Sequence, residues 1–435
     1  MFRSSKRKAV IATAALALSG VLALSACSGG GADAGSGAFD PDADVTLNFA
    51  FWGNDVRADL YTQAIAAFNV EHPNITVNST FLDFPAFWEK RQTEAAGGGL
   101  PDVMQFDYSY LRQYSESNLL LDLEPYFGDT IATDGLSEGI LQIGVVNDVT
   151  TAIPTSTNAW GMFTNPKLMD SLGVEPYEGG GSWQDYSDWM ESATAAGAEA
   201  GVYGGSDWTG RIQNFEIQLR SEGSFLFDDA GKAGFDKERL AEFWNEGAPV
   251  REEIGIPAQR VEELMPLSPF ASAVATSELT WDNFGSGYLG SLGESYTELD
   301  LVAPPVTVEG SADLYLKPSM LHAVAATTEH PEASTILVDF LINSPEAGAI
   351  FGTNRGLPAS ETQLAGVELA GLDAQIRDYE ATIADRLGDA PPVPITGFGT
   401  LENKFLLIGQ ELGYDTITVD EAVEQFFAEM DVVLN

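Results

Sequence analysis

VTLNFAFWGNDVRADLYTQAIAAFNVEHPNITVNSTFLDFPAFWEKRQTEAAGGGLPDVMQFDY, residues Val45–Tyr108, switches repeatedly between two periods of hydrophobicity. Val45 to Phe51 alternates and is rich in strand formers, and Trp52-Gly53-Asn54 ends it as a turn. From Arg57 to Asn69 the apolar residues Leu60, Ala64, Ile65, Ala67 and Phe68 fall on one helical face. His72-Pro73-Asn74 stops that helix, and Ile75 to Phe81 reads as a second strand. Phe87 to Ala96 predicts a second helix closed by Gly97-Gly98-Gly99, and Pro101 to Phe106 a third strand ending at Asp107-Tyr108. Strand, helix, strand, helix, strand with short connections predicts an α/β fold with a parallel sheet covered by helices. Ligands of such sheets bind beyond the carboxyl ends of the strands. Those ends are Trp52-Gly53-Asn54, Asp83-Phe84 and Asp107-Tyr108, each pairing an aromatic with a short polar side chain.

Upstream of this unit the chain reads as an address. Arg3, Lys6, Arg7 and Lys8 precede the apolar run Ala9–Leu24, the pattern of an export signal over residues 1–26. Leu24-Ser25-Ala26-Cys27 resembles a bacterial lipobox, which implies lipidation of Cys27 and anchoring at the extracellular face of the cytoplasmic membrane. Residues 27–44, rich in Gly, Ala, Ser and Asp, predict a flexible tether. Cys27 is the only cysteine, so an internal disulfide and a Cys-rich zinc site are excluded. Of the three histidines, His72 and His330 precede prolines in loop-like sequence, and neither a metal site nor a cofactor is expected.

The chain has 435 residues, enough for two or three domains, with 21 Lys and Arg against 65 Asp and Glu. A formal charge of −44 repels a phosphate backbone, which excludes nucleic acid as a partner. Downstream, Ile153–Trp189 (IPTSTNAWGMFTNPKLMDSLGVEPYEGGGSWQDYSDW) begins as a short β-type run ending in Pro154. It crosses small polar residues and enters a helix after Asn165-Pro166 that breaks at Gly173. A further helix starts at Ser182-Trp183, with Ser182 as N-cap. Such a segment reads as a crossing from one α/β unit to another.

The order of a Trp-ended strand, the Glu-His-Pro-Asn-Ile-Thr-Val strand (71–77), Gly-Gly-Gly-Leu-Pro-Asp-Val (97–103) and Leu119-Leu120-Leu121-Asp122-Leu123 resembles a known family. It is similar to the extracellular solute-binding lipoproteins of carbohydrate ABC transporters, a sugar-binding family related to maltose-binding protein. Pro154, Asn165, Lys167, Gly173, Pro176 and Ser182-Trp183 follow its pattern. Thr164, where Tyr is common, and Pro166, which splits Asn165 from Lys167, depart from it. The resemblance implies a two-lobed, type II periplasmic-binding-protein-like fold with discontinuous lobes and a three-segment hinge. The further crossings fall in Lys317–Val324 and near Gly371–Ala374, and Ala271–Thr276 matches a small-residue helix before a strand and an aromatic loop. The N-terminal lobe would comprise 45–154 and 327–372, and the C-terminal lobe 157–322 and 375–435.

Sugars present hydroxyl edges and C–H faces, so a sugar site combines polar side chains with aromatic platforms. The candidates at the lobe edges are Trp52, Asn54, Asp83, Phe84, Asp107, Tyr108, Asn158, Trp160, Asp207, Trp208, Arg211, Trp281, Asp282, Asn283, His322, Arg355 and Phe398. Trp208 and Trp281 each sit beside a carboxylate and loop glycines. The expected function is that of a non-catalytic, monomeric receptor that binds a sugar or oligosaccharide and delivers it to an ABC permease. A glycoside-acting enzyme would need two paired carboxylates, for which no motif stands out. The acidic charge offers a polyamine or other cation as the rival ligand.

Overall fold

The computed structural model describes residue 41 and residues 43–53, 55–265 and 267–434. The expected export signal, Cys27 and Asn54 lie outside the described residues. The strands are β1 (Val45–Trp52), β2 (Ile75–Leu82), β3 (Val103–Phe106), β4 (Val145–Val146), β5 (Val149–Thr150), β6 (Ile153–Thr164), β7 (Ser277–Trp281), β8 (Asp300–Val302), β9 (Leu316–Val324) and β10 (Leu357–Pro358). Helices α1 (Asp55–Glu71), α2 (Phe84–Gly97) and α3 (Tyr108–Glu116) alternate with the first three strands.

β1 pairs in parallel with β2 and β3, as the strand–helix alternation requires. The full row runs β10-β6-β9-β3-β1-β2, and β9 is antiparallel to both β3 and β6. β6 then leaves this row: its first residues pair with β9, while Trp160–Thr164 pair with β7 and Met162–Thr164 with β8. One continuous strand therefore belongs to two packed halves.

The expected short run ending at Pro154 is in fact the start of a 12-residue strand, every residue of it buried. Proline survives there because the register shifts between Pro154 and Ser156 and again before Thr157, so its missing N–H falls at a bulge. The small polar residues that read as a crossing loop are strand residues covered on both faces. Beyond them Asn165 caps the helix Pro166–Leu172 by accepting from Leu168 N–H at 3.0 Å, and Gly173 closes it in the left-handed conformation. Ser182 and Asp185 form a reciprocal capping box on the helix Trp183–Gly197. Ala271–Thr276, matched to a small-residue helix, is a sequence of turns, with Ala273 at φ 55°.

Each half packs its own aromatic core. Around β1 and β3, Phe49, Phe51, Tyr61, Phe87, Trp88, Phe106 and Tyr114 are buried. In the other half Phe163, Tyr186, Phe215, Phe243, Trp244, Phe405 and Phe426 form the center of a single cluster. At the entry to β6 the backbone packs so closely that only glycine fits. A Cβ on Gly144 would lie 1.7 Å from the Ala152 carbonyl oxygen. Gly144→Ala is expected to lower the unfolding free energy by at least about 1–3 kcal/mol, the usual cost of overpacking, read from denaturant titration. A midpoint unchanged from wild type would contradict this.

Candidate functional site

A cleft of about 1020 Å³ lies where the carboxyl ends of β1 and β3 face the second half. Trp52 ends β1, and its ring meets Phe84 and Phe87 edge-on at 5.4 Å each. Phe84 stands at the first turn of α2 and remains 39% exposed. Asp107 caps α3 by accepting from Ser109 N–H, which sets Tyr108 at the cleft wall. The middle of the cleft comes from paired positions on β6 and β9, Asn158 and Lys317. Opposite stand Trp281, Asp282 and Asn283 after β7, with Phe398 and the segment Pro391–Ile395.

Trp281 is held from several sides: Trp160 packs against it edge-on at 5.1 Å, Tyr315 at 6.0 Å, and the Lys317 ammonium lies 5.0 Å from its ring centroid. Glu216 reaches the same wall and accepts from the Tyr315 hydroxyl at 2.7 Å. Burial raises the Glu216 carboxyl above its ordinary range. Asn158 is 5% exposed, and its side-chain oxygen has no partner among the described residues. A buried acceptor without a partner beside a cleft is a place where a bound molecule's donor is favoured once the side chain turns toward it.

The cleft thus brings together Trp52, Phe84, Asp107, Tyr108, Asn158, Trp281, Asp282, Asn283, Arg355 and Phe398. Arg355 lies there with its head turned inward, donating to Leu341 O and Gln363 Oε1 over the Phe351 ring. The remaining candidates stand elsewhere. Asp83 caps α2 through Ala86 N–H. Trp160 is buried behind Trp281 and donates its indole N–H to Asn214 at 2.8 Å. The Asp207-Trp208 pair serves the core instead of the cleft wall. Asp207 accepts from Thr209 and from Arg251 at 3.0 Å, while Trp208 packs on Trp183 at 4.3 Å. Neighbouring charge and glycine made that pair look like a loop site, but the loop folds inward. Arg211 is exposed at the start of helix Ile212–Ser221, outside the cleft lining. His322 is fully buried in β9 beside Phe49, and burial, then the Arg355 charge, lowers it to about 3, so it stays neutral.

Several lining residues were absent from the sequence candidates: Glu216, Tyr315, Lys317 and the proline-rich 391–395 segment. Glu216 had a signal, since it is the one carboxylate among Ile212, Phe215, Ile217 and Leu219 on a mostly buried helix. Among the described residues no group of three or more His, Cys, Asp or Glu side chains is arranged to hold a metal ion.

A cleft between two halves that share a continuous strand defines a protein built to enclose a solute. Residues 54–347 match the bacterial extracellular solute-binding protein family, and the chain belongs to it. Its fold is the mixed α/β periplasmic-binding-protein fold of type II, and the family's members are binding proteins, not catalysts. It is similar to an extracellular solute-binding protein family 1 member from Alicyclobacillus acidocaldarius, at 27% identity and a TM-score of 0.76 over 91% of this chain and 100% of that one. A periplasmic oligogalacturonide binding protein from Yersinia enterocolitica is 20% identical with a TM-score of 0.76, over 89% and 98% of the two chains. An ABC substrate-binding protein from Listeria monocytogenes, solved in complex with cycloalternan, is 17% identical with a TM-score of 0.69, over 89% and 98%.

Proposed function

We propose that this protein is an extracellular receptor, anchored through lipid on Cys27, that captures a sugar or oligosaccharide and delivers it to an ABC import permease. The observation that carries this reading is the pairing of aromatic and polar side chains in one cleft: Trp52, Phe84, Trp281 and Phe398 line it together with Asn158, whose buried side-chain oxygen has no partner among the described residues. Rings suit the C–H faces of a pyranose, and Asn158 suits a hydroxyl. The Yersinia relative, an oligogalacturonide binding protein, and the Listeria relative, solved with cycloalternan, support the same class. Residues 45–154 with 327–372 and 157–322 with 375–435 then act as lobes that close on the solute, hinged at β6, β9 and the segment near Gly371.

Titration calorimetry against neutral oligosaccharides, uronate oligosaccharides and polyamines is the direct test. Binding of a sugar without turnover is the expected result, and binding of a polyamine with no sugar bound overturns the proposal. Asn158→Ala is expected to weaken sugar binding about tenfold, the worth of one hydrogen bond to a buried acceptor. Full affinity in that variant would remove Asn158 from the site.

A further inference from the structure

Two carboxyl groups meet beneath the cleft floor. Asp282 opens the short turn Asp282–Phe284 after β7 and is fully buried. Its Oδ2 accepts the Ala159 N–H of β6 at 2.8 Å, so it fastens this turn to the strand shared by both halves. The Asn283 N–H also approaches this carboxyl, but among the described residues neither its Oδ1 nor the buried Oε1 of Glu380, on helix Leu372–Thr382, has a well-formed hydrogen bond from an N–H or hydroxyl. Ala159, which donates to Asp282, and Trp160, whose carbonyl accepts from the Tyr379 hydroxyl, are neighbours on β6, and this brings Glu380 beside Asp282.

Among the described residues, the cations nearest the pair are engaged elsewhere. Tyr379, on the same helix, donates its hydroxyl to the Trp160 carbonyl at 2.5 Å. Arg386 is committed to Asp313, at 2.7 and 2.9 Å, and to the carbonyls of Pro304 and Pro305. Lys317 of β9 lies over the Trp281 ring, and Asp373, in the first turn of the same helix as Glu380, adds a further carboxylate to the cleft lining. Two adjacent carboxyl groups, Asp282 fully buried and Glu380 half-buried, cannot both ionise without a penalty, whereas one proton between them satisfies the buried Oδ1 and Oε1.

We propose that Asp282 and Glu380 bind a single proton between them, and that this shared proton clamps helix Leu372–Thr382 and the Trp281–Asn283 wall of the cleft onto β6. Burial raises both groups, Asp282 to about 7 and Glu380 well above its ordinary range. Because the folded-state values are raised, the contribution to stability is complete in acid, below about pH 4. It is lost as the pH climbs through about 7 and beyond. If the cleft is the solute site, as proposed above, capture weakens over the same range.

The test needs no ligand and so stands apart from the identity of the solute. The thermal midpoint of the wild-type mature protein, followed from pH 5 to 9, is expected to fall with a linkage slope of about one proton per molecule. Glu380→Gln keeps a donor toward Asp282 and has no proton to lose, so its slope is expected to drop by about one proton. Asp282→Asn should act alike through its own amide. Infrared spectroscopy of the wild type is expected to show a protonated carboxyl band at pH 6 that both variants lack. An unchanged slope in a folded variant, or no such band in the wild type, overturns the proposal.

Discussion

Trp281→Ala is expected to lower affinity for the proposed sugar ligand by about a hundredfold or more, the loss typical of a central aromatic anchor. The indole is partly buried in the cleft and fixed by Trp160, Tyr315 and the Lys317 ammonium, so its face is presented without a cost in side-chain ordering. Truncation removes the platform and also frees Lys317, placing an unshielded cation where a ring stood. Trp281→Phe keeps an aromatic face and is expected to recover part of the affinity, which separates stacking from bulk. Calorimetry on the wild type and both variants, with circular dichroism confirming the fold, makes the comparison. Equal affinity for Trp281→Ala and the wild type would show that the sugar does not rest on this wall.

Arg112→Ala is expected to weaken binding roughly thirtyfold by favouring the open form, an effect of about 2 kcal/mol. Arg112 belongs to α3, yet its buried guanidinium donates to Val393 O at 2.6 Å, to Pro394 O at 3.3 Å and to Asp229 Oδ1 at 2.9 Å. These partners lie on the second half, so one side chain ties the halves together at the cleft rim, beside the Tyr108 hydroxyl on Pro391 O. Asp229 is mostly exposed, and its ion pair contributes little; the bonds from a buried fork to backbone carbonyls carry the effect. Asp229→Ala should therefore be close to wild type, and Arg112→Lys should resemble Arg112→Ala because the fork is lost. Solution scattering would report a larger radius of gyration for Arg112→Ala without ligand. If neither dimensions nor affinity change, the contact plays no part in closure.

Much of the fold was legible because the signals were local. Period and punctuation placed β1, α1, β2 and β3 within a few residues, since each element carries its own apolar pattern and its own glycine or proline stop. β6 was harder. A strand covered on both faces needs no alternation, and Pro154 hides in a bulge that only the partner strand reveals. The site divided along the same line. Trp52, Phe84, Asp107 and Tyr108 follow from their position after parallel strands, and Trp281 to Asn283 from the loop after β7. Glu216, Tyr315 and Glu380 reach the cleft or its floor from two helices and from the segment before β9, distant in sequence, where no motif announces them. Trp208 and Asp207 show the converse, a local composition that suits a site and a tertiary path that turns it inward.

The position of β9 between β3 and β6 has a bearing on how the chain reaches this state at all. Met104 pairs with Ala323, and Phe106 with Leu321, so the first sheet acquires its central neighbour only after most of the chain exists. Until then β3 presents a hydrophobic, unpaired edge, the template on which other chains aggregate. Assembly by successive domains, the usual route for long chains, is closed to this topology. Such a late-closing, high-contact-order sheet is expected to fold slowly.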